Sequence, residues 1–185
     1  MKKGILLIVC LLSFSSVYSQ DFEKGGNYIS IGYNLDPFRG NNYMGHGGSF
    51  AYERGITDVL GIGRIGVGGS VSTMLYNYNS TVLFNDHKHN VVRVSIGARA
   101  TYHFEFDVPK MDVYAGVGAV FNIDIEEEKF NGTTVKKETH IGGNGTRSFH
   151  QVFAGIRYYF TDAFGVYAEV GHGHRLANIG VVFAF

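Results

Sequence analysis

The 185-residue chain has one cysteine, two prolines and no tryptophan, and neither sign of charge is in excess, with 16 Lys and Arg against 16 Asp and Glu. Cys10, the lone cysteine, lies in an apolar N-terminal run. A disulfide framework of the kind that staples small secreted domains is therefore excluded. A lipoprotein anchor at Cys10 would need a small residue just before it and a later position, so bulky Val9 and the early location argue against one. Beyond that run no stretch approaches the ~20 apolar residues that a membrane-spanning helix needs. Near-neutral charge gives no support to nucleic-acid binding, which calls for a strongly basic face. Whatever holds the fold together is neither a disulfide nor a bundle of apolar helices.

Residues 1–19 read as a cleaved signal peptide: Lys2 and Lys3 ahead of an apolar run over 5–12, then Val17-Tyr18-Ser19 as the cleavage site. Residues 20–185 form a single domain with 14 Lys and Arg against 16 Asp and Glu, a net charge of −2. That domain is rich in glycine and aromatics; the whole chain holds 26 Gly, 12 Tyr and 15 Phe. Together with scarce proline this composition suits tightly packed strands.

Strand side chains alternate between two faces, and eight segments show that alternation, over 27–35, 48–55, 60–74, 91–104, 112–125, 148–160, 164–173 and 178–185. The segment 91–104 is the clearest. Val92, Val94, Ile96, Ala98, Ala100, Tyr102 and Phe104 face one way, and Arg93, Ser95, Gly97, Arg99, Thr101 and His103 the other. Leu60 and Ile62 break the parity of the third strand, which predicts a bulge there. Long connections at 36–46, 75–90 and 126–146 alternate with short ones at 55–58, 107–110 and 161–163, and a compact last loop spans 172–177. In the longest, Glu126-Glu127-Glu128 against Lys136-Lys137 reads as a solvated hairpin extension that could engage a partner. Even strand number with alternating loop length predicts an all-β fold, an eight-stranded antiparallel up-and-down transmembrane β-barrel. Short turns then lie in the periplasm and long loops outside the cell. Tyr52, Tyr102, Phe104, Tyr158, Phe160, Phe164 and Phe185 gather at the periplasmic end as an interfacial girdle. A soluble barrel of lipocalin type would bury the aliphatic face and expose the arginines; the regular arginines opposite the aliphatic face favour the membrane.

The last eight residues, Asn178-Ile179-Gly180-Val181-Val182-Phe183-Ala184-Phe185, end an apolar lane on an aromatic ring. They resemble the C-terminal assembly signal of Gram-negative outer-membrane barrels at Asn178, Gly180, Phe183 and Phe185. With Tyr52-Glu53-Arg54-Gly55-Ile56-Thr57-Asp58, Gly97-Ala98-Arg99-Ala100-Thr101-Tyr102-His103-Phe104 and Tyr114-Ala115-Gly116-Val117-Gly118, the mature chain is similar to the small eight-stranded OmpA/OmpX/opacity-type outer-membrane barrels. The resemblance implies residence in the cell outer membrane, contact with its lipid, and delivery by the barrel assembly machinery through the C-terminal strand. Members of such families serve as envelope elements, adhesins and defence factors, and so wide a use of one fold leaves the role to be argued from sites.

Three constellations invite chemistry. Glu53, Arg64, Arg93, Arg99, Asp124, Arg157 and Glu169 share the lumen face. An eight-stranded barrel is just wide enough for side chains to fill it, so these read as a charge network that plugs the lumen, with a catalytic carboxylate as the sharper alternative. Gly61-Ile62-Gly63-Arg64-Ile65-Gly66 matches a dinucleotide fingerprint, but a strand follows it where a helix N-terminus is required. His87/His89 and His172/His174, each spaced two apart, could chelate Zn²⁺ or Cu²⁺ at the outer rim, although the first pair shares the lumen register and the second the outward one. Some eight-stranded barrels modify lipid A with a His and Ser near the lipid-facing rim; His172 and His174 have no serine within the last strand pair, and Ser148 reaches only across the barrel. The expectation is a non-enzymatic, cofactor-free barrel that serves envelope structure or binds an extracellular ligand or surface partner through its loops. The alternatives are a lipid A-modifying enzyme and then a narrow pore.

Overall fold

The computed structural model describes residues 22–36, 45–82, 85–106, 108–130, 133–141, 149–173 and 175–185, with side chains at 78–87 and 149 outside that set. The predicted signal peptide therefore lies outside the described residues. Nine strands follow in chain order: β1 Asn27–Asp36, β2 Gly45–Gly55, β3 Gly63–Val82, β4 Asn85–Phe104, β5 Met111–Phe130, β6 Thr133–Ile141, β7 Phe149–Thr161, β8 Phe164–His172 and β9 Ala177–Ala184. Every pairing is antiparallel. Eight of the strands close a barrel in the order β1-β2-β3-β4-β5-β7-β8-β9, with β9 returning to β1. Among the described residues β6 pairs with β5 alone, along its outer third, from Ile123↔Ile141 to Phe130↔Thr133.

The barrel is inside out. Val117, facing outward, is 58 % exposed, while Arg157, facing inward, is 1 % exposed. Ile31, Val71, Ile96, Val152 and Ile179 share the outer surface; Asn34, Glu53, Arg99, Asn122 and Asp124 are buried within. A soluble barrel would show the reverse, because an unpartnered aliphatic wall in water forfeits the burial energy that drives folding. In a bilayer the closed ring instead pairs the backbone groups of each strand with its neighbours and leaves no open edge in hydrocarbon.

Three boundaries differ from the periodicity. β3 and β4 run on as one long hairpin through 75–90, and β5 with β6 makes a second one through 126–141. Both hairpins carry polar or charged residues at positions of either parity, so apolar alternation fades although pairing continues. Leu60 and Ile62 belong to no bulge in β3. They sit in a tight turn closed by a Leu60–Gly63 bridge, with Gly61 at φ 71°.

Inward glycines make room for the rings beside them. A Cβ on Gly155 would lie 2.5 Å from Tyr114 Cζ, and one on Gly116 would lie 2.4 Å from Phe153 Cζ. Gly155→Val is therefore expected to destabilise the barrel by ~1–3 kcal/mol, the usual cost of overpacking. A lowered urea midpoint of the refolded protein checks this, with Ala154→Val on the outward face as the unaffected control.

Candidate functional site

The lumen charges lie in layers set by strand parity. At the outer layer Arg93 and Asp124 are direct cross-strand partners of β4 and β5, and their bidentate contact measures 2.6 Å at both bonds. In the middle layer Arg99 Nη2 donates to Glu169 Oε1 at 2.5 Å across the lumen. The Tyr114 hydroxyl donates to the same oxygen at 2.9 Å, and Arg175 Nη2 donates to Glu169 Oε2 at 2.5 Å. In the inner layer Arg157 Nη2 donates to Glu53 Oε2 at 2.5 Å, with Asp112 Oδ2 at 3.4 Å from Nη1. His103 lies between the same carboxylates, 2.8 Å from Glu53 and 2.8 Å from Asp112. Thr101 also hydrogen-bonds Glu53.

Aromatic rings separate the layers. The Arg157 guanidinium stands 4.6 Å from the Tyr114 ring centroid, and that of Arg99 stands 4.3 Å from Phe153. Such stacking suits a flat guanidinium already engaged through its edge. Each of these charges is buried and opposed by a counter-charge, the condition under which burying ions is tolerable.

Of the seven lumen residues expected from parity, six meet in these layers. Arg64 takes another place: it donates to Phe22 O at 2.5 Å and pairs with Glu105 at 2.7 Å at the barrel mouth on the side of the short turns. There Phe22 stacks on His103, with ring centroids 3.5 Å apart and planes 2° from parallel. Parity alone had not singled out His103 and Asp112, although both share the lumen register of their strands. Arg175 lies in the last loop, where no period points to it, and it reaches back to Asn34 at 3.3 Å.

The histidines are spread apart. His89 lies 3.5 Å from Glu126 on the outer part of β4, and His172 is exposed at the end of β8, with β5 and β7 between those strands. The His87 side chain and the whole of His174 and Ser148 lie outside the described residues. Among the described residues no group of three His, Cys, Asp or Glu could hold a metal ion.

At the rim the β5–β6 hairpin is densely charged. Hydrogen bonds from Thr134 and Lys129 hold the Glu127 carboxyl below its usual range, and one to Glu138 pushes the Lys136 ammonium up. In the C-terminal strand Asn178 is buried, donating to Asn34 and Ser49 at 2.5 Å each. A Cβ on Gly180 would lie 2.1 Å from Ile31 O, so a larger residue would force β9 away from β1. Phe183 packs outward against Phe164 at 5.3 Å.

This geometry matches a known family: residues 7–180 fit the model of the outer membrane protein beta-barrel domain. The chain belongs to that family. It is an integral protein of the outer membrane. Among solved structures it is similar to Ail, the attachment invasion locus protein of Yersinia pestis, in complex with the heparin analogue sucrose octasulfate, at TM-score 0.56 and 15 % identity over 88 % of this chain and 100 % of that one. Ail alone gives TM-score 0.55 at 15 % identity over the same shares, 88 % and 100 %. The N-terminal β-barrel domain of Pseudomonas aeruginosa OprF gives TM-score 0.45 at 20 % identity over 88 % and 98 %. No curated protein matches in sequence.

Proposed function

We propose that the protein is a non-enzymatic outer-membrane barrel whose lumen is closed by its own ion pairs and whose working surface is its outer rim. The observation that carries this is Arg157, the largest of the fully buried side chains, held between Glu53 and Asp112 with Tyr114 beneath it. Ions crossing the lumen would have to part Arg157–Glu53, Arg99–Glu169 and Arg93–Asp124 in turn. Recognition then falls to the long β3–β4 and β5–β6 hairpins, which stand beyond the lipid-facing band and carry charges of both signs, Lys88, Lys129, Lys136 and Lys137 among Glu126, Glu127, Glu128 and Glu138. Their support comes from a rigid barrel below, the usual arrangement for binding loops. A protein of the same fold, Ail, has been solved with a polysulfated ligand, which is consistent with ligand capture at such a rim.

Purified protein in planar bilayers is expected to give no stable single-channel current. Steady currents that scale with salt would refute the closed lumen. Cells with and without the protein are expected to show the same lipid A acylation; a changed pattern would favour an enzyme instead.

A further inference from the structure

Two of the short periplasmic turns are built from large apolar residues. Ile56, Val59, Leu60 and Ile62 lie between β2 and β3, and Phe106 and Val108 between β4 and β5; all are exposed. The third short turn, Thr161-Asp162-Ala163, has no large apolar residue. An apolar patch left in water is an association hazard, so the direction in which this one faces matters.

The backbone gives that direction. Leu60 N–H donates to Gly63 O at 2.7 Å, closing the small hairpin around Gly61. It folds over Tyr102, which points out of the barrel wall: the Tyr102 hydroxyl donates to Leu60 O at 2.5 Å, and a Cβ on Gly63 would lie 2.7 Å from Tyr102 Cε1. Glu105 N–H donates to Ile62 O at 2.9 Å and ties the two turns together. From Tyr102 the outward lane continues to Phe104 at 5.2 Å and then Phe106, 6.0 Å further. Leu60 at 57 % exposure and Ile62 at 69 % thus adjoin the aromatic girdle on its lipid side.

A girdle tyrosine ordinarily turns its hydroxyl to headgroups and water. Here a turn carbonyl takes that hydroxyl, and apolar side chains occupy the zone beyond it. The described turn carboxylates are already paired, Asp58 with Lys24 at 2.5 Å and Glu105 with Arg64 at 2.7 Å, while Lys110 is exposed.

We infer that these two turns form a one-sided lipid anchor, seated in the phospholipid headgroup region of the periplasmic leaflet and continuous with the girdle. Leu60, Ile62, Phe106 and Val108 enter the boundary of the acyl chains, and Lys110 faces phosphate.

Because the chain has no tryptophan, single Trp substitutions report depth without background. Ile62→Trp, Val108→Trp, Tyr158→Trp in the girdle and Asp162→Trp in the polar turn would be refolded into phosphatidylcholine vesicles brominated at shallow acyl positions. Heat-dependent gel mobility verifies folding of each. The expected result is loss of Ile62→Trp and Val108→Trp emission matching that of Tyr158→Trp, with Asp162→Trp unquenched and red-shifted. Either turn variant alone suffices if the other does not fold. Folded turn variants that behave like Asp162→Trp would overturn the anchor. So would shielding seen in native outer membranes but absent from pure lipid, which would assign the patch to a periplasmic protein.

Discussion

Replacing Arg157 with alanine is expected to destabilise the barrel by ~3–5 kcal/mol, the cost of breaking a buried ion pair from one side. Removal leaves Glu53 and Asp112 facing each other across His103, with both carboxylates desolvated and their strongest donor gone. It also takes the guanidinium from the face of Tyr114. The readout is the urea midpoint of refolded protein, followed by heat-dependent gel mobility. Two comparisons separate charge from volume. Arg157→Met fills most of the space yet strands the same carboxylates, so it is expected to be nearly as damaging. Pairing it with Glu53→Gln removes one stranded charge and is expected to recover part of the loss. Asp58→Ala breaks an equally short pair, Lys24–Asp58 at 2.5 Å, but one open to solvent, and is expected to leave the midpoint unchanged. Equal midpoints for Arg157→Ala and the parent would sink the pairing argument.

The same layers mark what a sequence of this kind can tell. In the membrane one strand face meets hydrocarbon and the other a narrow polar lumen, so a period of two is enforced residue by residue. Arg93, Arg99, Arg157, Glu53, Asp124 and Glu169 are legible for that reason. Which of them pair is legible only for direct neighbours in the sheet, such as Arg93 and Asp124. Arg99–Glu169 and Arg157–Glu53 span the lumen between strands that are not adjacent, and contact there depends on barrel closure and tilt, which no single strand encodes. His103 and Asp112 carry the right parity but gain meaning only once Glu53 and Arg157 are seen around them. Arg175 and Phe22 enter from outside the strands and have no period at all. Where polar residues fall on both faces the period fades, which is why 75–90 looks like a loop in the sequence and is a strand hairpin in the molecule. The run Glu126-Glu127-Glu128 against Lys136-Lys137, by contrast, reads as a hairpin from its charges and pairs as one, Glu127 with Lys137 and Glu128 with Lys136.

Deleting Phe185 is expected to abolish assembly into the outer membrane while export across the inner membrane continues. The outward lane Ile179, Val181, Phe183 and Phe185 ends on a ring that is 66 % exposed on the outer face of the barrel. In the family resemblance this terminal aromatic is the element the assembly machinery takes hold of. The backbone of the residue has a second role that parity does not reveal. Phe185 N–H donates to Asn27 O at 3.0 Å, and Asn27 N–H donates back to Phe185 O at 3.0 Å, so the last residue completes the β9–β1 seam that closes the barrel. At ~1 kcal/mol per bond these contacts contribute ~2 kcal/mol to closure. Phe185→Ala keeps both bonds and loses only the ring, so the two roles separate. In cells both variants are expected to disappear from the surface and collect in the periplasm, read by surface proteolysis and heat-dependent gel mobility. Refolded from urea into detergent without any machinery, Phe185→Ala is expected to match the parent midpoint, and the deletion to fall below it. Normal surface levels of Phe185→Ala would mean that the ring is not what the machinery reads, and would shift the whole effect of the deletion to the seam.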